Sequence, residues 1–123
     1  MMRKAQLAAI VMILGLLLVE NVWAHAFLSA AVPAVGSTVA TRPKELRLHF
    51  SEAVEIKFSS VKIALEGGKD IAPVRIAADP SDPQLIVVSL TAPLARGVYL
   101  VKWRVVSVDT HKTQGDYRFT VKQ

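Results

Sequence analysis

The sequence contains no cysteine. That excludes disulfides, thiolate chemistry and every metal centre built on a thiolate, so a domain of this chain must hold together by its core alone. Methionine is nearly as scarce: Met1, Met2 and Met12 are the only three. Beyond residue 12 the chain offers no sulfur ligand, and soft monovalent metals find nothing to bind. No stretch carries the periodicity of an amphipathic helix, and no internal repeat, low-complexity tract or inter-domain linker interrupts the pattern. The longest apolar run, the 13 residues from Leu7 to Val19, is broken only by Gly15 and falls short of the ~20 that a membrane helix needs.

That short run has the flanks of a secretory leader. Arg3 and Lys4 precede it, and Val22-Trp23-Ala24 places small side chains where a signal peptidase cuts. The expectation is a signal peptide over residues 1–24 and a soluble, exported, monomeric domain over 25–123. Loss of Arg3, Lys4 and Glu20 from totals of 15 basic and 10 acidic residues leaves 13 and 9, a net charge of +4. Arg42, Lys57, Arg75, Arg96 and Lys122 stand singly along the chain, which reads as a solvated surface and not as a nucleic-acid stripe.

From His25 onward, short runs of period two alternate with turn residues. Strands are expected over His25–Val32, Glu45–Ser51, Ser59–Glu66, Ile71–Ala77, Gln84–Leu90, Val98–Ser107 and Gln114–Lys122. Leu46, Leu48 and Phe50 share one face of the second run; Tyr99, Val101, Trp103 and Val105 share one face of the sixth. Asp79-Pro80-Ser81-Asp82-Pro83 reads as a loop, because each proline removes a ladder donor. Seven short strands in about a hundred residues predict an all-β, seven-stranded Greek-key sandwich of immunoglobulin-like or cupredoxin-like shape, with an open barrel as the alternative.

The chemistry-bearing residues concentrate between the last two strands, at Ser107-Val108-Asp109-Thr110-His111. In an extended segment Asp109 and His111 share a face with roots about 6–7 Å apart, a gap that two side chains can close on one ion. If cleavage follows Ala24, His25 adds two more donors, its α-amine and its ring Nδ1. Three nitrogens and a carboxylate oxygen suit Cu(II) best, ahead of Ni(II) and Zn(II). Each part has an ordinary alternative, since Asp-Thr-His in a loop also makes an Asx turn.

Several spaced motifs resemble the CopC family of periplasmic copper-binding proteins: His25-Ala26-Phe27-Leu28, Leu48-His49-Phe50-Ser51-Glu52, Gly97-Val98-Tyr99, Trp103-Arg104-Val105-Val106-Ser107 with Asp109 and His111, and Gly115. The resemblance implies a β-sandwich that holds one Cu(II) per chain through His25, Asp109 and His111. Glu52 matches a glutamate near the metal, either as a distant fifth ligand or as a group that orients the site. His49 also matches a family position, but its outward parity makes it a surface residue. Trp103 and Tyr99 read as packing.

One departure concerns Leu65–Pro73, where two-site relatives carry a methionine-rich Cu(I) loop and this chain has Glu66-Gly67-Gly68-Lys69-Asp70. The resemblance therefore implies a Cu(II)-only periplasmic carrier in copper resistance or homeostasis, with no catalytic apparatus, that passes copper to a CopD-type transporter of the inner membrane. Two rivals stay open at this point: a histidine-brace copper oxygenase, which would also begin with histidine, and a metal-free sandwich that binds a partner.

Overall fold

The computed structural model describes residues 26–73 and 75–123. His25 and the expected leader lie outside the described residues.

Two antiparallel-dominated sheets face each other. The four-stranded sheet contains β1 (Leu28–Val32), β3 (Glu45–Phe50), β6 (Arg75–Asp79) and β7 (Asp82–Ser89), in the order β1-β3-β7-β6. The five-stranded sheet contains β2 (Thr38–Val39), β4 (Ser60–Leu65), β5 (Asp70–Ile71), β8 (Gly97–Val106) and β9 (Lys112–Val121), in the order β2-β9-β8-β4-β5. A single 3-10 turn, Ile56–Phe58, joins β3 to β4. Among the described residues no helix is long and apolar enough to cross a membrane. Seven of these strands have five residues or more, which is the sandwich that the alternation predicted.

The core is the sum of the inward rows. Leu46, Leu48 and Phe50 of β3 and Ile86 and Val88 of β7 meet Val61 and Ile63 of β4, Val101, Trp103 and Val105 of β8, and Phe119 and Val121 of β9. Burying each such side chain contributes about 1.5–3 kcal/mol, so a chain without cross-links can still fold. Phe50 and Trp103 join the sheets edge to face, with ring centroids 5.2 Å apart. Tyr99 stacks on Phe119 at 5.5 Å and donates its hydroxyl to the Ala95 carbonyl at 2.7 Å.

Three local expectations are corrected. Ile71–Ala77 is not one strand: β5 ends at Ile71 on one sheet and β6 starts at Arg75 on the other. Pro73 lies between them, where a residue without an N–H leaves a ladder at least loss. Asp79–Pro83 is not an open loop but a tight hairpin in which Asp79 pairs with Asp82. Its acidic side chains satisfy the turn's own N–H groups: Asp79 accepts from Ser81 N at 2.9 Å and Asp82 accepts from Gln84 N at 2.9 Å. Thr38–Val39, which has no strand signal of its own, pairs in parallel with Thr120–Val121.

Two tests follow from the inward rows. Tyr117 is buried, its hydroxyl has no hydrogen-bond partner among the described residues, and burial pushes its pKa far above the ordinary tyrosine value. Tyr117→Phe is therefore expected to leave stability unchanged or raise it, whereas Tyr99→Phe, which strands the Ala95 carbonyl, lowers it by about 1 kcal/mol. Urea denaturation of the two variants separates them. Gly115 sits opposite Trp103, and a Cβ there would stand 2.5 Å from the indole ring. Gly115→Ala should cost about 1–3 kcal/mol in the same assay.

Candidate metal site

One end of the sandwich gathers the last residues of β3 and β8 and the first of β1, β4 and β9. Backbone bonds tie these segments together. Val54 bridges to Ser107, Glu55 N donates to the Val106 carbonyl at 2.7 Å, and Val108 N donates to the Ala53 carbonyl at 3.1 Å. The chain from Ser51 to Glu55 is thus sewn along the chain that carries Asp109.

Ser107 organises the turn that follows. It is fully buried, and its N–H donates to the His111 carbonyl at 2.9 Å while Thr110 N donates to the Ser107 carbonyl at 2.9 Å. Thr110 takes the left-handed region at φ 73°, uncommon for a β-branched residue and strained by about 1–3 kcal/mol. The segment is a turn and not the extended run that the parity argument assumed. Asp109 and His111 nevertheless converge, because the turn folds back on the Ser107 backbone.

The Asp109 Oδ2 and His111 Nδ1 atoms lie 3.2 Å apart, with the carboxylate side chain 35% exposed and the imidazole 50%. At that separation the imidazole nitrogen hydrogen-bonds the carboxylate, so the two side chains converge on one spot. The Ser107 hydroxyl donates to Asp109 Oδ1 and holds its carboxyl below the usual carboxylate range; the contacts with His111 act in the same direction. Asp109 is therefore ionised at neutral pH and aimed, which is what a metal ligand requires.

The N-terminal end of the described chain arrives at the same place. Ala26 is fully buried, and its carbonyl accepts the Thr113 hydroxyl at 2.7 Å, two residues past His111. Phe27 is fixed by a reciprocal pair, its N–H donating to Ser51 Oγ at 2.8 Å and its carbonyl accepting from Ser51 N at 2.8 Å. These are residues whose role the sequence reading missed: Ser107, Thr113 and Ser51 fix the backbone around the site. Small hydroxyl residues flanking Asp109, His111 and Glu52 were the available signal.

Glu52 is half-buried in the segment between Ser51 and Ala53, but among the described residues no three His, Asp or Glu side chains gather as one metal set. His49 stands on the outer face of the four-stranded sheet, as its parity predicts, with Nδ1 3.0 Å from Ser29 Oγ and Nε2 3.2 Å from Asp82 Oδ2. Tyr99 and Trp103 are core residues.

Known proteins resemble the chain along most of its length. Protein YobA of Escherichia coli K12 is 41% identical over 106 residues, covering 86% of each chain. Copper resistance protein C of Escherichia coli is 41% identical over 105 residues, covering 80% of this chain and 82% of that one. The crystal structure of PcoC, a methionine-rich copper resistance protein from Escherichia coli, superposes with a TM-score of 0.72 at 38% identity, covering 80% of this chain and all of that one. The CopC domain model matches residues 28–122, a span that includes β1 to β9 and the Asp109–His111 turn, and the chain belongs to the CopC family.

Proposed function

We propose that this chain is an exported copper carrier that binds one Cu(II) through the α-amine and ring of His25, the Asp109 carboxylate and the His111 imidazole. The observation that carries this reading is the anchoring of Ala26. The residue that follows His25 in sequence is buried and bonded to Thr113, so the chain enters the site beside the paired Asp109 and His111. Relatives named for copper resistance support the metal. The donor chemistry supports its oxidation state, since nitrogen and oxygen ligands without sulfur favour Cu(II).

In this reading the signal peptide over 1–24 is removed in the periplasm, and cleavage after Ala24 creates the amine ligand. Asp109 supplies a negative charge already ionised at neutral pH, Ser107 orients it, and Glu52 lies on the adjoining segment as an outer group. The partner that receives the metal is a CopD-type membrane transporter, and the role is resistance or homeostasis.

The decisive experiment compares two preparations by Cu(II) titration and EPR: protein beginning at His25, and the same protein with one alanine in front. The added residue converts the amine to an amide and leaves every side chain in place. Affinity should collapse and the nitrogen hyperfine pattern should change; equal behaviour of the two preparations would refute the brace. Binding should also weaken from neutral to mildly acid pH, because α-amines and imidazoles ordinarily titrate at about 7.7–8.0 and about 6.5 and must lose their protons to coordinate. Asp109, whose pKa is lowered, does not contribute to that decline. Ser107→Ala should reduce Cu(II) affinity by about tenfold or more by freeing Asp109 to rotate, read by competition against a chromophoric chelator.

A further inference from the structure

Five other cations of the chain share one sheet face. On β4, β8 and β9 the outward rows carry Lys62, Lys102, Arg104, Lys112 and Arg118, all exposed. Acidic residues on this face are fewer: Asp116 opposite Lys102, Asp70 of β5 opposite Ala64, and Glu66 of the adjoining turn, which pairs with Arg118 at 2.7 Å. The outer face of the other sheet is balanced: Arg47 bonds Glu45 and Asp79 at 3.3 and 3.5 Å, and Asp82 faces His49. The five-stranded sheet thus carries an excess of cations on its outer face, while Arg42, Lys57, Arg75, Arg96 and Lys122 stand off these three strands.

Within the basic face, Lys62 and Lys102 are directly opposed across β4 and β8. Like charges so placed stand about 5 Å apart and destabilise the sheet, and Arg104 adds a third cation one diagonal away. Cations on an edge strand can serve to repel other strands, which would account for Lys62 and Lys112. Lys102 and Arg104 belong to β8, which is paired on both sides, so no edge needs guarding there. Their grouping fits an anionic ligand that offsets the repulsion.

The neighbouring edge narrows the class. β5 covers only Ile63 and Ala64 of β4, which leaves the outer edge of Ser60–Lys62 unpaired with any described strand. An extended chain can add to such an edge through its backbone, and a lipid headgroup cannot. Of the large exposed apolar side chains, Phe27, Val32, Val35, Phe58 and Val108, none lies on β4, β8 or β9, so the edge is addressed through its backbone and its cations.

We propose that Lys62, Lys102 and Arg104, with the open edge of β4, form a docking surface for an acidic, extended segment of a partner protein. The surface starts on the strand ends next to the Asp109–His111 turn but includes neither residue and needs no metal, so its test is run copper-free and stands apart from the carrier reading.

The probe is a peptide of alternating Glu and Thr, titrated into the isotope-labelled protein by NMR. Amide shifts should map to residues 60–62 and 102–104. The double variant Lys102→Glu, Arg104→Glu should weaken binding by about tenfold or more, and Arg75→Glu on the opposite sheet should not. Lys102→Gln with Arg104→Gln, expected to keep the melting temperature, should give an intermediate loss. N-methylating alternate amides of the peptide should also weaken binding. The proposal is overturned if a Gln-Thr peptide binds equally well, if the double Glu variant binds undiminished, if N-methylation has no effect, or if phosphatidylglycerol vesicles capture the protein while the peptide does not.

Discussion

The buried hydroxyl of Ser107 is the contact on which the functional end of this protein depends. It is the buried polar residue of the described core, and it is fully used: its backbone closes the turn on His111, its bridge to Val54 ties β8 to the segment after β3, and its hydroxyl holds Asp109. A polar group taken out of water must be bonded, and the set of bonds that satisfies Ser107 is also the set that shapes the turn. The strain of Thr110 at φ 73° is sustained by the same closure.

That turn can be rigid because the strands beneath it are. β8 and β9 pair over ten residues, and the inward rows of β8 pack on β3 through the Phe50–Trp103 contact. A cysteine-free domain has no cross-link to limit its unfolded state, so the two-sheet core must supply the stability. The site sits where strands end and loops begin, on a scaffold whose geometry does not depend on the loops. The sandwich thereby carries the Asp109–His111 turn at one end and cations on the outer face of the five-stranded sheet.

The sequence carried the fold well where alternation was strong. The β3 and β8 rows, with Phe50 and Trp103 inward and His49 outward, follow from period two alone. It failed where a proline or a two-residue strand decided the path. The division of 70–79 between two sheets and the parallel β2–β9 pair depend on which edge is available in space, and no local pattern encodes that.

The candidate site was legible as residue types and illegible as geometry. Asp109 and His111 were identifiable from their spacing and from the resemblance to CopC proteins, but the reason given, a shared face of an extended segment, does not hold; a turn closed by Ser107 brings them together. The sequence by itself determined that no sulfur donor lies beyond Met12, and it determined the inward rows of the core, because side-chain identity and period two are local properties. Only the tertiary structure decided that Ala26 reaches Thr113 and that cations from β4, β8 and β9 form one face. Those are contacts between segments far apart in the chain, set by strand register and sheet packing.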